Sequence, residues 1–229
     1  MIHVICATIR EQQAKRIIDN LLDTSLGNIH VVVGLYRDLF DTLVNYRNHD
    51  RLWISFEEYS PSYSYAVNAV WGKLRNSFGI DHNLLALSTT DDSEYKTGWY
   101  EALGTCYDEQ FPDHDGLMFL NDLRAEEMKV PNIGENGISL KSAKFCDKHM
   151  GGWLESPHYH CNSLDLENAG VAKLHGKCGF CPDAKTYHLL VDFDIQVNSE
   201  QYLIATDTFK AREKRGFIYD IIAPWRYWE

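Results

Sequence analysis

Positive charge is scarce in this 229-residue sequence: 22 Lys and Arg stand against 33 Asp and Glu, a formal net charge of -11 at pH 7. A surface of that sign repels nucleic-acid backbone and anionic lipid over most of its area. Nucleic acid is therefore disfavoured as a partner, although a local basic patch is compatible with the total. Long apolar runs are missing too. None approaches the roughly 18 residues of a spanning helix, so no membrane span is expected. The opening MIHVICATIREQQ lacks a basic segment ahead of a long apolar stretch and does not read as a signal peptide. The cysteines at 6, 106, 146, 161, 178 and 181 are then expected as reduced thiols in a cytoplasmic protein. Internal repeats, low-complexity tracts and Pro/Gly/Ser linkers are absent, which leaves no domain boundary, and residues 1–229 are read as one domain.

What is present is ample material for a core: 45% apolar residues, with 6 Trp, 13 Tyr and 10 Phe. Short apolar runs alternate with helical patterns. HVICAT (3–8), IHVVVGLY (29–36), RLWISFEEY (51–59) and NLLALS (83–88) read as strands. Between the first two lies a helix with Ile17, Ile18, Leu21 and Leu22 on one face. Before the fourth, serines suited to capping open a helix carrying Val67, Val70, Trp71 and Leu74. This β-α-β order predicts an α/β fold with a mostly parallel central sheet flanked by helices. Near-continuous apolar strands are what a sheet covered on both faces requires. Further on, DGLMFLND (115–122) predicts a strand, and NGISLKSAKFCDKHMGGWLESPHYH a strand, short helix and loop. SLDLENAGVAKLHGK (163–177) predicts a helix stopped near Gly176. FCPDAKTYHLL is a short strand region, and SEQYLIATDTFKAREKRG a late helix.

The chemistry is concentrated where the fourth strand runs into Asp91-Asp92, with Gly98-Trp99 soon after. Unit charges about 4 Å apart interact by roughly 4 kcal/mol at an effective dielectric near 20. Neighbouring carboxylates therefore need solvent or a cation. Oxygen ligands suit Mg²⁺ or Mn²⁺, ions that usually also hold substrate phosphates. A solvated acidic turn or helix cap is the plain alternative. The carboxyl end of a parallel strand, where open α/β sheets bind ligands, favours the cation.

Several segments, taken in order, resemble the GT-A glycosyltransferases, close to the large family-2 type that uses nucleotide sugars. Ala7-Thr8-Ile9-Arg10 is similar to the family's T-x-R loop around the nucleotide base. Ser64-Tyr65-Ala66-Val67-Asn68 resembles its A-x-N helix start. Thr90-Asp91-Asp92 followed by Gly98-Trp99 resembles the D-x-D…P-G-W segment, and Gly151-Gly152-Trp153-Leu154-Glu155 the acceptor-side G-G-W element. Asp165-Leu166-Glu167 resembles D-x-E, and Cys181-Pro182-Asp183-Ala184 to His188 the late P-D-A-x-x-x-H element. The likeness covers about residues 1–190. It implies a GT-A, Rossmann-like domain with a nucleotide-binding half to about residue 122 and an acceptor half beyond. It implies metal-dependent transfer of a sugar from a nucleoside diphosphate donor, with UDP-sugars favoured, to a hydroxyl of a glycan, a protein or a modified nucleic-acid base. Carried over residue by residue, Thr8, Arg10, Asn68, Thr90 and Asp91 would face the nucleotide sugar. Asp92, His188 and Asp91 would hold Mn²⁺ or Mg²⁺. Asp165, with Glu167 as substitute, would be the general base, and Gly152 and Trp153 would meet the acceptor. Two positions depart from the pattern: Thr90 stands where the metal motif has its first aspartate, and Val33-Gly34 where an aspartate often follows the second strand.

Bland alternatives accompany these roles. His188 suits a core strand histidine, Asp165 a helix N-cap and Trp153 the core. Cys178-x-x-Cys181 has the spacing of half a structural zinc site, with a second half available from His158 or His160 and Cys161. Buried thiols or a redox pair are the other readings of the same residues. KAREKRG (210–216) suits a solvated helix end or a phosphate contact. The tail with Trp225, Tyr227 and Trp228 suits packing on the domain. Two competing functions remain: a zinc-braced binding module with a degenerate cleft, and a nucleotidyltransferase.

Overall fold

The apolar runs of the first half become four strands, the first, second and fourth buried on both sides and the third at the sheet edge. β1 (Ile2–Thr8) is followed by α1 (Glu11–Thr24), β2 (Asn28–Gly34), β3 (Leu52–Glu57), α2 (Tyr63–Phe78) and β4 (Leu85–Thr90). The computed structural model describes residues 1–8, 10–34, 41–46, 48–57, 62–79, 81–129, 137–159, 164–189, 199–220 and 223. Positions 35–36 and 58–59 of two predicted strands, and the aromatic tail from residue 224, lie outside them. Successive residues serve opposite faces, as strand geometry demands. Val4, Cys6, Val31, Val33, Leu85 and Leu87 join one core with Ala14, Ile17, Ile18 and Leu21 of α1. Ile5, Val32 and Ala86 join another with Val67, Val70, Trp71 and Leu74 of α2. The Ser62 hydroxyl caps α2 by accepting from the Tyr65 amide at 3.2 Å, a contact worth about 1 kcal/mol.

β5 (Ser93–Tyr95), α3 (Trp99–Gln110), β6 (Leu117–Asp122), α4 (Leu123–Glu127), β7 (Ser139–Ser142) and α5 (Ala143–His149) follow. α6 (Leu164–Leu174), β8 (Cys178–His188) and α7 (Ser199–Lys214) complete the described elements. α3 escapes the sequence pattern even though Trp99, Leu103 and Tyr107, four residues apart, are its buried face. Gly98 turns the chain into it with a φ of 85°, a left-handed angle that favours glycine. The predicted short strand at 180–190 is instead the 11-residue β8.

The described strands form one eight-stranded sheet in the order β3-β2-β1-β4-β7-β6-β8-β5. β3, β2, β1 and β4 run parallel, and β6 runs parallel to β8. β7 is antiparallel to both its neighbours and β5 to β8. This is a Rossmann-like α/β arrangement with a mostly parallel central sheet flanked by helices. No helix among the described residues is long and apolar enough to cross a membrane.

At the amino ends of the first strands, His3 Nδ1 lies 3.1 Å from His30 Nε2. The His30 ring stacks on His3 and on Trp53. Burial lowers the His3 pKa from 6.5 to about 4 and the His30 pKa from 6.5 to about 3. One neutral ring donates to the other, so the folded state disfavours protonation. With folded pKa values below the unfolded one, stability is full above pH 6.5 and falls as the pH drops towards 4 and then 3. Denaturation from pH 7 to 4 should show a loss of about 1–3 kcal/mol beyond that of an H3F/H30F variant, whose curve is flatter.

Candidate active site

β1 and β4 are neighbours, but the chain leaves β1 through α1 on one face and reaches β4 through α2 on the other. Their carboxyl ends therefore flank a topological switch point, the crevice where open α/β sheets take ligands. The register pairs Ala7 with Thr90, which sets Thr8 beside Asp91. The Thr8 hydroxyl donates to Asp91 Oδ2 at 2.5 Å and Arg10 Nε donates to the same oxygen at 3.2 Å. Arg10 Nη2 pairs with Asp91 Oδ1, and the Arg16 guanidinium donates to the Asp91 carbonyl. The hydrogen bond to Asp91 raises the Arg10 pKa. Asp91 is buried with both carboxylate oxygens taken. It bonds the loop after β1 to the end of β4, and in this arrangement both its oxygens are occupied by Thr8 and Arg10.

Asp92 differs. The Thr90 hydroxyl donates to its Oδ1, and its carbonyl accepts from the Leu189 amide at 2.7 Å. Oδ2 has no hydrogen-bond partner among the described residues. The next residue, Ser93, pairs across β5 and β8 with His188. The His188 ring contacts Asp122, its Nδ1 2.7 Å from Oδ2. Burial pulls the His188 pKa down, but the hydrogen bond and charge of Asp122, with the charges of Asp92 and Asp165, carry it above its usual value. Asp92, Asp122, Asp165 and His188 thus share one electrostatic environment.

Asp165 sits in the first turn of α6. Burial raises its pKa, against backbone hydrogen bonds including one at Gly137, and the charge of Glu155 adds to the rise. Glu167, two residues on, is a different case. It is fully buried and accepts from Tyr159 at 2.6 Å, Tyr219 at 2.6 Å and Arg212 at 2.8 and 2.9 Å. Burial would raise its pKa, yet these donors lower it overall. Both oxygens are occupied by these four donors, so Glu167 sits as an internal anchor and a weaker proton acceptor than an ordinary carboxylate. The basic cluster is corrected: Arg212 is buried in that ion pair, while Lys210, Lys214 and Arg215 stay exposed.

The acceptor-side loop is held from below. Asn68 Oδ1 accepts from the Leu154 and Glu155 amides at 3.1 Å each, and its Nδ2 donates to the Glu155 carbonyl at 2.7 Å. Asn68 therefore positions the loop, and nothing places its side chain towards the nucleotide side. Trp71 Nε1 donates to the Gly152 carbonyl at 3.1 Å. Gly152 has a φ of 90°, which a side chain would strain. Trp153 is half-buried. Sequence reading missed the pair that locks this loop to the sheet. Glu155 Oε1 accepts from Lys141 at 2.6 Å and from Ser88, and Oε2 accepts from Asn168 at 3.0 Å. Lys141 is fully buried, and its only hint in the sequence is a lysine inside an apolar strand.

The zinc reading meets strand geometry. Cys178 and Cys181 are three apart on β8, so they face opposite ways. Cys181 packs in the α1–α3 core and Cys178 against Phe145 and its neighbours on the other side. A chelating C-x-x-C needs a turn to bring both sulfurs to one ion. His158 faces Tyr219 and Asp220, and His160 and Cys161 lie outside the described residues. Among the described residues no disulfide joins the five cysteines.

Among the described residues no three His, Cys, Asp or Glu side chains converge as a closed ligand set. Asp92 and His188 supply one carboxylate and one imidazole. Mg²⁺ and Mn²⁺ sites that keep waters and borrow substrate phosphates are commonly built on one or two protein ligands. The donor set therefore fits such an ion.

No protein-family model matches the chain, and no curated protein does. Solved structures of similar outline include a 4-diphosphocytidyl-2C-methyl-D-erythritol synthase, at TM-score 0.48 and 8% identity over 90% of this chain and 97% of that one. The inositol-1-phosphate CTP transferase from T. maritima gives TM-score 0.46 and 12% identity over 90% and 95%. The galactosyltransferase LgtC, in complex with donor and acceptor sugar analogues, gives 0.42 and 12% over 90% and 96%.

Lys141→Met should be among the most destabilising single changes, because it strands the Glu155 carboxylate in the interior. Chemical denaturation should register a loss of about 3–5 kcal/mol, with most of it recovered in K141M/E155Q.

Proposed function

We propose that this chain is a cation-dependent glycosyltransferase that moves a sugar from a nucleoside diphosphate sugar, with UDP-sugars favoured, to a hydroxyl acceptor. The observation that supports this best is the division of labour among the carboxylates at the strand ends. Asp91 is paired with Arg10, whereas Asp92 has one oxygen that no described residue hydrogen-bonds and its charge is felt by His188, and Asp165 is held with a raised pKa.

Asp92 and His188 would hold Mn²⁺ or Mg²⁺. When bound, that ion supplies positive charge against the departing diphosphate. Thr90 orients Asp92 through its hydroxyl, so the threonine in place of a first aspartate serves as a support. Thr8 and Arg10 shape the nucleotide side of the crevice. The acceptor hydroxyl gives its proton to Asp165 as its oxygen attacks the anomeric carbon, and the bond to the diphosphate breaks. A raised carboxylate pKa makes Asp165 the stronger proton acceptor. Trp153, half-buried on the acceptor side, offers a ring on which a sugar or base can stack. A glycan, a protein or a modified nucleic-acid base all carry a suitable hydroxyl. A cytoplasmic setting accords with described cysteines that form no disulfide with one another. The zinc-braced alternative loses its main support with Cys178 and Cys181 on opposite faces of β8.

Leaving-group analysis separates sugar transfer from nucleotidyl transfer, which uses strand-end carboxylates in a similar way. Incubation with Mn²⁺ and a panel of nucleotide sugars should release nucleoside diphosphate, and nucleoside triphosphates should release no pyrophosphate; the opposite pattern would establish nucleotidyl transfer. Asp165→Asn should lower turnover by about 10²–10⁴-fold while donor affinity changes little.

A further inference from the structure

The late P-D-A-x-x-x-H element has a structural meaning that the position of His188 depends on. β6 and β8 run in register from Leu117 opposite Cys178 to Leu120 opposite Cys181, and the register then jumps to Asn121 opposite Lys185. Pro182, Asp183 and Ala184 are the inserted residues. Asn121 Nδ2 holds the bulge by donating to the Pro182 carbonyl at 3.1 Å. A bulge re-aims the residues that follow it. Here it draws β8 back so that Asp122 stands opposite Thr186, and His188, two residues on, leaves the sheet on the same face. Asp122 is therefore the side chain that the bulge delivers to His188.

The Asp122 carboxylate is used on both oxygens. Oδ1 accepts from the Arg124 amide at 3.1 Å and from the His188 amide at 3.4 Å. Oδ2 meets His188 Nδ1 at 2.7 Å. Arg124 completes the clasp by donating to the His188 carbonyl at 3.1 Å. A carboxylate fixed by two amides can only accept, so in the neutral ring the proton belongs on Nδ1 and the lone pair on Nε2. Among the described residues nothing hydrogen-bonds Nε2.

From this geometry we infer that Asp122 is a positioning residue, fixing the ring orientation and tautomer of His188 so that Nε2 is presented as an electron-pair donor towards Asp92. This rests on the proposed role of His188 as a cation ligand, and it adds the outer carboxylate that such a ligand ordinarily requires. Asp122 touches neither donor nor acceptor in this account.

The pairing can be read without any metal. In ¹⁵N-histidine-labelled protein, with the ring neutral, His188 should show the Nδ1–H tautomer. Asp122→Ala should move it to the commoner Nε2–H form, and Asp122→Asn, which keeps an acceptor for the α4 amide, should move it part of the way. The same proteins titrated with Mn²⁺ and UDP should bind the ion about 10- to 100-fold more weakly in Asp122→Ala, with UDP binding in the absence of metal unchanged. A wild-type Nε2–H tautomer, or one that Asp122→Ala leaves in place, overturns the inference. So does unchanged Mn²⁺ affinity in that variant while His188→Ala loses the ion. If the tautomer responds as expected but the wild type binds no Mn²⁺, the cation reading fails and the Asp122–His188 pairing stands.

Discussion

The contact on which the site depends is the one between Arg10 and Asp91. Two adjacent carboxylates at a strand end repel, and neither can be useful while both carry uncompensated charge. The fold resolves this with an asymmetry. Arg10 and Thr8, at the end of β1, take up both oxygens of Asp91 and discharge it inside the protein. The same contacts tie β1 to the turn after β4 across the switch point, so the crevice has a fixed wall. Asp92 is then a single carboxylate, held at one oxygen by Thr90 and, among the described residues, without a hydrogen-bond partner at the other. The carboxylates thus divide into one that builds the site and one that is left to act.

The same sorting recurs on the acceptor side. Glu155 and Glu167 are both buried, and both are saturated, by Lys141, Ser88 and Asn168 in the first case and by Arg212, Tyr159 and Tyr219 in the second. Asp165 lies between them in sequence and near Glu155 in space, but it has backbone donors instead of a cation, and its pKa moves up where that of Glu167 moves down. Environments that drive neighbouring carboxyls apart are how one fold obtains both fixed anions and proton acceptors. The buried pair Lys141–Glu155 has a further consequence. It joins β7, β4 and the Gly-Gly-Trp loop, so that loop is as firmly placed as the Arg10–Asp91 wall.

Much of the fold is legible in the sequence because its parallel strands are covered on both faces and so read as apolar runs. The cap of α2 and the buried faces of α1 and α2 follow from local rules, and the carboxyl end of β4 points to Asp91 and Asp92. What the sequence hides depends on partners far along the chain. Asp91 and Asp92 are chemically alike until Arg10 chooses between them, more than 80 residues away. Glu167 resembles a catalytic candidate until Arg212 and Tyr219 arrive. Cys178-x-x-Cys181 suits zinc in a turn and loses that meaning in a strand, where a three-residue step changes faces. Asp122 becomes a partner of His188 only through a bulge in β8, although its place at a strand end, like that of Asp91, was a signal available to reading. α3 escaped because its fully buried stripe is only Trp99, Leu103 and Tyr107, while Tyr100, Ala102 and Cys106 beside it blur the pattern.

The central claim is that the cation belongs to Asp92 and His188, with Asp91 committed to Arg10. Anomalous diffraction from crystals grown with Mn²⁺ and a nucleoside diphosphate tests it most directly. The account predicts a manganese peak bonded to an Asp92 oxygen and to His188 Nε2, with the diphosphate completing the coordination and the Arg10–Asp91 pair unbroken. A peak bonded to Asp91 with Arg10 displaced, or manganese held only at residues remote from β4 and β8, would contradict it.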